Sequence, residues 1–150
     1  MNQKGFVSYE LAVKLKECGF CEPCRFFYSH VDVADGRVSV GGDAHFAEDY
    51  NAGEAGGSPI AVSVCSMPSL YAAQRWLREE WGIHVDVCVY ADYSTDADGK
   101  VCDRWDFWGF DLYAVVGGDR IGADDSEYDS YEEALAAGIA AALELIREGE

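Results

Sequence analysis

Cys18, Cys21 and Cys24, spaced three residues apart, form the most conspicuous chemistry-bearing pattern in the chain. A structural zinc site takes four ligands, usually as two separated pairs, and an iron–sulfur cluster also needs a fourth. A metal reading of these three therefore requires Cys65, Cys88, Cys102 or a histidine to arrive through the fold. The plainer account is a set of buried thiols around a helix end. Thioredoxin-like redox chemistry is disfavoured, because Cys18 stands near the end of a helix and thiolates are stabilised at the start. His84, Asp86 and Cys88 recur every second residue on one face of a strand. Neighbours on such a face lie about 6–7 Å apart, so two of the three could share a metal but not all three. A solvated polar strand face explains them with less. His45 is a candidate base with no partner in sequence, and His30 reads as a half-exposed strand residue. Ser94, Asp96, Asp98 and Gly99 begin like a calcium loop, yet the twelfth position is Trp105 where a bidentate glutamate belongs. A hairpin turn is expected there instead. The chain has no P-loop, no Gly-x-Ser-x-Gly and no dinucleotide glycine pattern, so the sequence names no catalytic residue, no enzyme class and no cofactor.

The cations are few and therefore informative. Arg75 and Arg78 flank Trp76, Arg104 precedes Trp105, Tyr90 lies in the strand before, and Arg25 opens an earlier strand. Converging, Arg75, Trp76, Arg78, Tyr90, Arg104 and Trp105 would form a pocket for a phosphorylated base, through ring stacking and bidentate guanidinium contacts. Asp119, Asp124, Asp125, Glu127, Asp129, Glu132 and Glu133 crowd before and into the last helix. Such a run complements the helix dipole and solvates a loop; its functional reading is a mimic of nucleic-acid phosphates that blocks a host protein.

Periodicity supplies the elements that must position these residues. Ser8 can cap a helix that reaches Cys18 with Leu11 and Leu15 on one stripe, ended by Gly19. Residues 25–33 are rich in Phe, Tyr and Val, and Asp35-Gly36 signals a hairpin back into 37–40. The Gly-rich segment 41–58 reads as a long loop, and 59–66 as a short strand. Pro68-Ser69 opens a helix with Leu70, Ala73, Leu77 and Trp81 at helical spacing, closed by Gly82. Ile83, Val85, Val87 and Val89 alternate with His84, Asp86, Cys88 and Tyr90. Residues 105–116 form a second long strand, with Trp108, Phe110, Leu112, Ala114 and Val116 on its core face. Trp105, Phe107, Asp111, Tyr113 and Val115 lie on a face too apolar to be simply solvated. Ser130 and Glu133 suit a capping box before a helix whose core stripe is Leu135, Ile139, Ala142 and Ile146. The expected fold is one α+β domain over 1–150, with a mainly antiparallel sheet of about four strands and three helices in the order α-β-β-α-β-β-α.

Composition narrows the class. The 150 residues carry 28 Asp plus Glu against 11 Lys plus Arg, a formal net charge of -17. With 49% hydrophobic and 13% aromatic residues, the chain is not a disordered acidic tail. Direct non-specific binding to nucleic acid or anionic membrane is disfavoured by the repelling field. No secretory h-region or membrane-length apolar run is present, so a cytoplasmic protein with six mostly free thiols is expected.

The stretches Ser8-Tyr9-Glu10-Leu11-Ala12, Glu17-Cys18-Gly19-Phe20, Pro68-Ser69-Leu70-Tyr71, Trp76-Leu77-Arg78-Glu79, Gly82-Ile83-His84-Val85 and Ser130-Tyr131-Glu132-Glu133-Ala134-Leu135 resemble uncharacterised small proteins carried by Bacteroidetes phages and prophages. The resemblance covers most of the chain and departs at 41–58, which is longer and less hydrophobic. The Glu133-Ala134-Leu135 helix is also similar, in a generic way, to that of HicB-type antitoxins. The phage resemblance implies a setting in the cytoplasm of a bacterial host and no residue-level chemistry. The expectation is a non-enzymatic accessory protein acting by binding, in counter-defence, on a small nucleotide-like ligand or a host protein. An acidic mimic of nucleic acid is the alternative, and a metal-dependent enzyme ranks third. A homo-oligomer would cover the second apolar face of the 105–116 strand.

Overall fold

Serine opens each of the three helices among the described residues. The Ser8 hydroxyl accepts from the Leu11 amide at 3.2 Å, Ser69 from Ala72 at 3.0 Å and Ser130 from Glu133 at 3.1 Å, satisfying amides that have no intrahelical acceptor. The returning Glu133 carboxylate accepts from the Asp129 amide at 3.2 Å, one residue earlier than in an ordinary capping box. Gly19 and Gly82 close the first two helices with φ of 92° and 65°, a left-handed conformation that side chains resist.

The computed structural model describes residues 4–32, 37–42, 47–52, 64–124 and 126–149. In chain order the elements are α1 (Tyr9–Glu17), β1 (Phe26–Asp32), β2 (Arg37–Gly42), β3 (Val64–Ser66), α2 (Leu70–Glu80), β4 (Ile83–Thr95), β5 (Val101–Ala114), β6 (Arg120–Ala123) and α3 (Tyr131–Glu148). The fold is α+β with antiparallel pairing throughout the described strands. It differs from the single four-stranded expectation: the strands form two three-stranded sheets, ordered β2-β1-β3 and β4-β5-β6. β3 and β6, of 3 and 4 residues, are too short to show a period, and each completes a sheet by pairing with a strand defined elsewhere. The Asp35-Gly36 turn, His45 and much of the segment 41–58 lie outside the described residues. Of that segment, Gly41 and Gly42 belong to β2. Residues 47–52 are pinned: Asn51 donates to the Phe20 carbonyl and accepts from the Ser66 amide, both at 2.9 Å.

Strand register sets the faces. Val85 opposes Leu112 and Val87 opposes Phe110, so these four share the side on which α3 lies. The approach is close: a Cβ on Gly138 of α3 would sit 2.4 Å from Val85 Cγ1 and 3.1 Å from Phe110 Cγ. β4 is an edge strand, and Gln74 of α2 donates to its Val85 carbonyl at 2.8 Å. That bond occupies an edge acceptor that would otherwise be buried unpaired. Leu15, Phe20, Met67, Leu77, Leu112, Ile139 and Leu143 belong to one core drawn from all three helices and both sheets.

β4 and β5 outrun this core. Residues 89–106 are all exposed and form a two-stranded ribbon about 20 Å long at ordinary strand rise. At its tip the Asp96 carboxylate accepts from the amides of Asp98 and Lys100, each at 2.9 Å, and Gly99 has a φ of 82°. Asp96 and Asp98 therefore build the expected hairpin turn. Val116, expected on the core face, is 90% exposed because β5 ends at Ala114.

Candidate functional site

The face of β4 and β5 turned away from α3 carries His84, Asp86, Cys88 and Tyr90 opposite Tyr113, Asp111, Gly109 and Phe107. Gly109 leaves a gap in the row of side chains, and the Tyr90 ring fills it; a Cβ at Gly109 would stand 2.9 Å from that ring. The rings of Tyr90 and Phe107 are stacked with centroids 5.6 Å apart. From this position the Tyr90 hydroxyl donates to the Asp111 carboxylate at 2.9 Å. Arg120 of β6 approaches the other Asp111 oxygen with Nε at 3.4 Å. The three side chains edge a groove of about 470 Å³, rimmed by Ala123, Asp124 and Ser126. The hydrogen bond to Asp111, followed by burial and its negative charge, holds the Tyr90 phenol well above its usual range. Burial and then Asp86, whose carboxylate accepts from the Cys88 thiol at 3.3 Å, raise Cys88 as well. On the rim, Tyr128 donates to Asp124 at 2.7 Å. The groove thus sets the protonated Tyr90 phenol beside the Asp111 and Asp124 carboxylates, an arrangement suited to holding a cation.

The six residues expected to bind a phosphorylated base fall into two regions. Arg75, Trp76 and Arg78 lie on α2, and Tyr90, Arg104 and Trp105 on the β4–β5 ribbon. Trp76 is corrected to a core residue: it is 2% exposed, with its ring 5.4 Å from that of Phe20, so it presents no face to a ligand. Arg75 is held by Glu22 at 2.9 Å, and that hydrogen bond raises its pKa. Its Nε is buried without a hydrogen-bond partner among the described residues. Arg78 is half-buried on the last turn of α2. Arg104 and Trp105 are adjacent and so point to opposite faces of β5; Arg104 lies 3.8 Å from Asp106, and the Trp105 indole donates to Glu127 at 3.3 Å. Of the six, Tyr90 alone lines the groove.

The candidate metal ligands also separate. Cys18 and Cys24 are buried and Cys21 is exposed. Burial, chiefly, pushes the Cys24 thiol up to about 11, which opposes the thiolate a metal needs. His84 and Asp86 share a face of β4, and His84 Nδ1 is buried without a hydrogen-bond partner among the described residues. Among those residues no group of three His, Cys, Asp or Glu side chains is placed to hold a metal ion, and no helix is long and apolar enough to cross a membrane.

Sequence reasoning missed Asp111 and Arg120 as a pair. Gly109 was the available signal, since a glycine inside an otherwise aromatic strand marks a close approach by another group. Comparison with family models, curated proteins and solved structures finds no match, so the chemistry of the residues alone carries the functional argument.

Proposed function

We propose that this protein acts by binding, and that the β4–β5 ribbon is its recognition element, docking on the basic surface of a protein partner. The observation that carries the reading is the ribbon itself: residues 89–106 are exposed without exception. Two-stranded ribbons are marginal in isolation, and this one presents Tyr90, Tyr93, Val101 and Trp105 at 38–60% exposure. Aromatic anchors amid charge are the composition of binding hot spots. The charge around them is acidic, with Asp92, Asp96, Asp98, Asp103 and Asp106 against Lys100 and Arg104. In a chain of net charge -17, that field attracts a cationic face and repels phosphate. In the phage or prophage setting that the sequence resemblance implies, the natural target is a host protein that binds nucleic acid, blocked by an acidic stand-in. Sequestration of a small nucleotide is the weaker reading, because Trp76 is in the core and Arg75 is tied to Glu22.

Capture from host lysate on immobilised protein tests this, with the retained proteins identified by mass spectrometry. Retention should weaken steeply with salt and be displaced by added duplex DNA, and a variant with Asp92, Asp103 and Asp106 changed to Asn should retain at least tenfold less. Salt-insensitive retention that duplex DNA leaves unchanged would sink the proposal.

A further inference from the structure

The groove at the root of the ribbon already shows what it accepts. Arg120 places a guanidinium against Asp111, while Tyr90 holds that carboxylate from the other side. The Arg120 side chain is 62% exposed and that of Asp111 only 15%, so the carboxylate lies within the sheet surface and the arginine reaches it from the solvent side, an exposed pair of small net strength. Beside it lie the stacked rings of Tyr90 and Phe107, whose faces attract cations. Asp124 on the rim adds a second carboxylate, oriented by the Tyr128 hydroxyl at 2.7 Å. The volume of about 470 Å³ exceeds what one side chain fills. A carboxylate floor, an aromatic wall and an acidic rim match a planar cation in shape and charge.

We propose that this groove is a receptor slot for an arginine side chain of the protein partner, and that Arg120 occupies the same carboxylate when the partner is absent. The inference rests on the binding role of the ribbon and adds the chemical identity of one contact: a guanidinium laid along the Tyr90–Phe107 wall, paired with Asp111 and Asp124. Arg120 then acts as an internal competitor. Removing it should tighten binding, the reverse of what an anion site built on Arg120 would show.

The test uses the whole protein and three probes: N-acetyl-arginine methylamide, its neutral isostere N-acetyl-citrulline methylamide, and inorganic phosphate. Amide chemical shifts of Gly109, Asp111 and Ser126 should move in saturable fashion with the arginine probe. They should respond at least about tenfold more weakly to citrulline, which lacks the charge, and not to phosphate. Arg120→Ala should bind the arginine probe about twofold to fivefold more tightly, the range set by loss of an exposed ion pair. Asp124→Asn and Phe107→Leu should each bind it more weakly, with unchanged spectra elsewhere showing that they remain folded. A response to phosphate, loss of the arginine response in Arg120→Ala, or equal response to arginine and citrulline overturns the proposal. If the arginine probe moves nothing while partner capture remains sensitive to salt and duplex DNA, the slot is refuted and the ribbon reading stands.

Discussion

Gly138 shows how much one hydrogen atom decides. Alanine is the better helix former by about 1 kcal/mol, and α3 is already rich in it. Yet a Cβ at this position meets Val85 Cγ1 at 2.4 Å, and relieving such an overlap in a packed core costs about 1–3 kcal/mol. With Phe110 also within 3.1 Å, the cost lies at the upper end of that range, so Gly138→Ala should lower the urea midpoint with the slope unchanged, a net loss of about 2 kcal/mol; an unchanged or higher midpoint would mean that α3 sits farther from the sheet. The cysteines make a second residue-scale case. Burial raises Cys24 and Cys65 from an ordinary value of 9.0 to about 11. The unfolded chain therefore loses these protons at lower pH than the folded one does. Stability attributable to them is intact below about pH 9 and drains away as pH climbs towards 11. Urea midpoints should fall across that window in the native protein and fall less in Cys24→Ala/Cys65→Ala. A disulfide-exchange reagent at pH 8 should label the exposed Cys21 and Cys102 quickly and Cys18, Cys24 and Cys65 only on unfolding. Trp76 marks what the sequence hid at this scale: beside two arginines it reads as a stacking surface. Its partner Phe20 stands far away along the chain, where no local pattern points to it.

The elements differ in how openly the sequence declares them. α3 is legible because its cap, its spacing and its core stripe are all local, and β4 is legible from the alternation of residue types over Ile83 to Tyr90. Burial follows that alternation only at the start, with Ile83 and Val85 buried, His84 and Asp86 half-buried and Val89 60% exposed. The outer half of the ribbon lacks that signal. In residues 91–106 both faces are exposed, so no burial alternation is imposed, and β4 runs on through Ala91-Asp92-Tyr93-Ser94-Thr95, past the Tyr90 at which the apolar–polar alternation stops. The same exposure predicts that the ribbon is dispensable for folding. Tyr90 and Phe107 are directly paired, so residues 91–106 can be replaced by Asn-Gly, a two-residue turn that suits the twist of paired strands. The shortened protein should keep its melting temperature to within about 4 °C, equivalent to about 1 kcal/mol for a chain of this size, and lose partner capture. A collapse in stability would show that the ribbon is covered by the rest of the protein, and capture that survives would place recognition elsewhere.

At the scale of the whole molecule, the charge of -17 sets the response to salt. The cations do little to relieve it: Lys4, Lys14, Arg75, Arg104, Arg120 and Arg147 each lie within 4.0 Å of a carboxylate. They serve local pairs and leave the remaining acids to repel one another. Self-repulsion opposes the compact state, and at 0.15 M ionic strength it is screened beyond about 8 Å. Sodium chloride should therefore raise the melting temperature, by about 4 °C for each kcal/mol of repulsion removed, while it weakens capture of a cationic partner. The two trends must have opposite signs, because one interaction is repulsion within the chain and the other attraction between chains. The same field works against a second copy docking on the acidic face of β4 and β5, where Asp86, Asp92, Asp103 and Asp111 share one side. Light scattering at low ionic strength should report a monomer; a dimer there, stable without added salt, would require that face to be paired with itself and would remove the case for a basic partner.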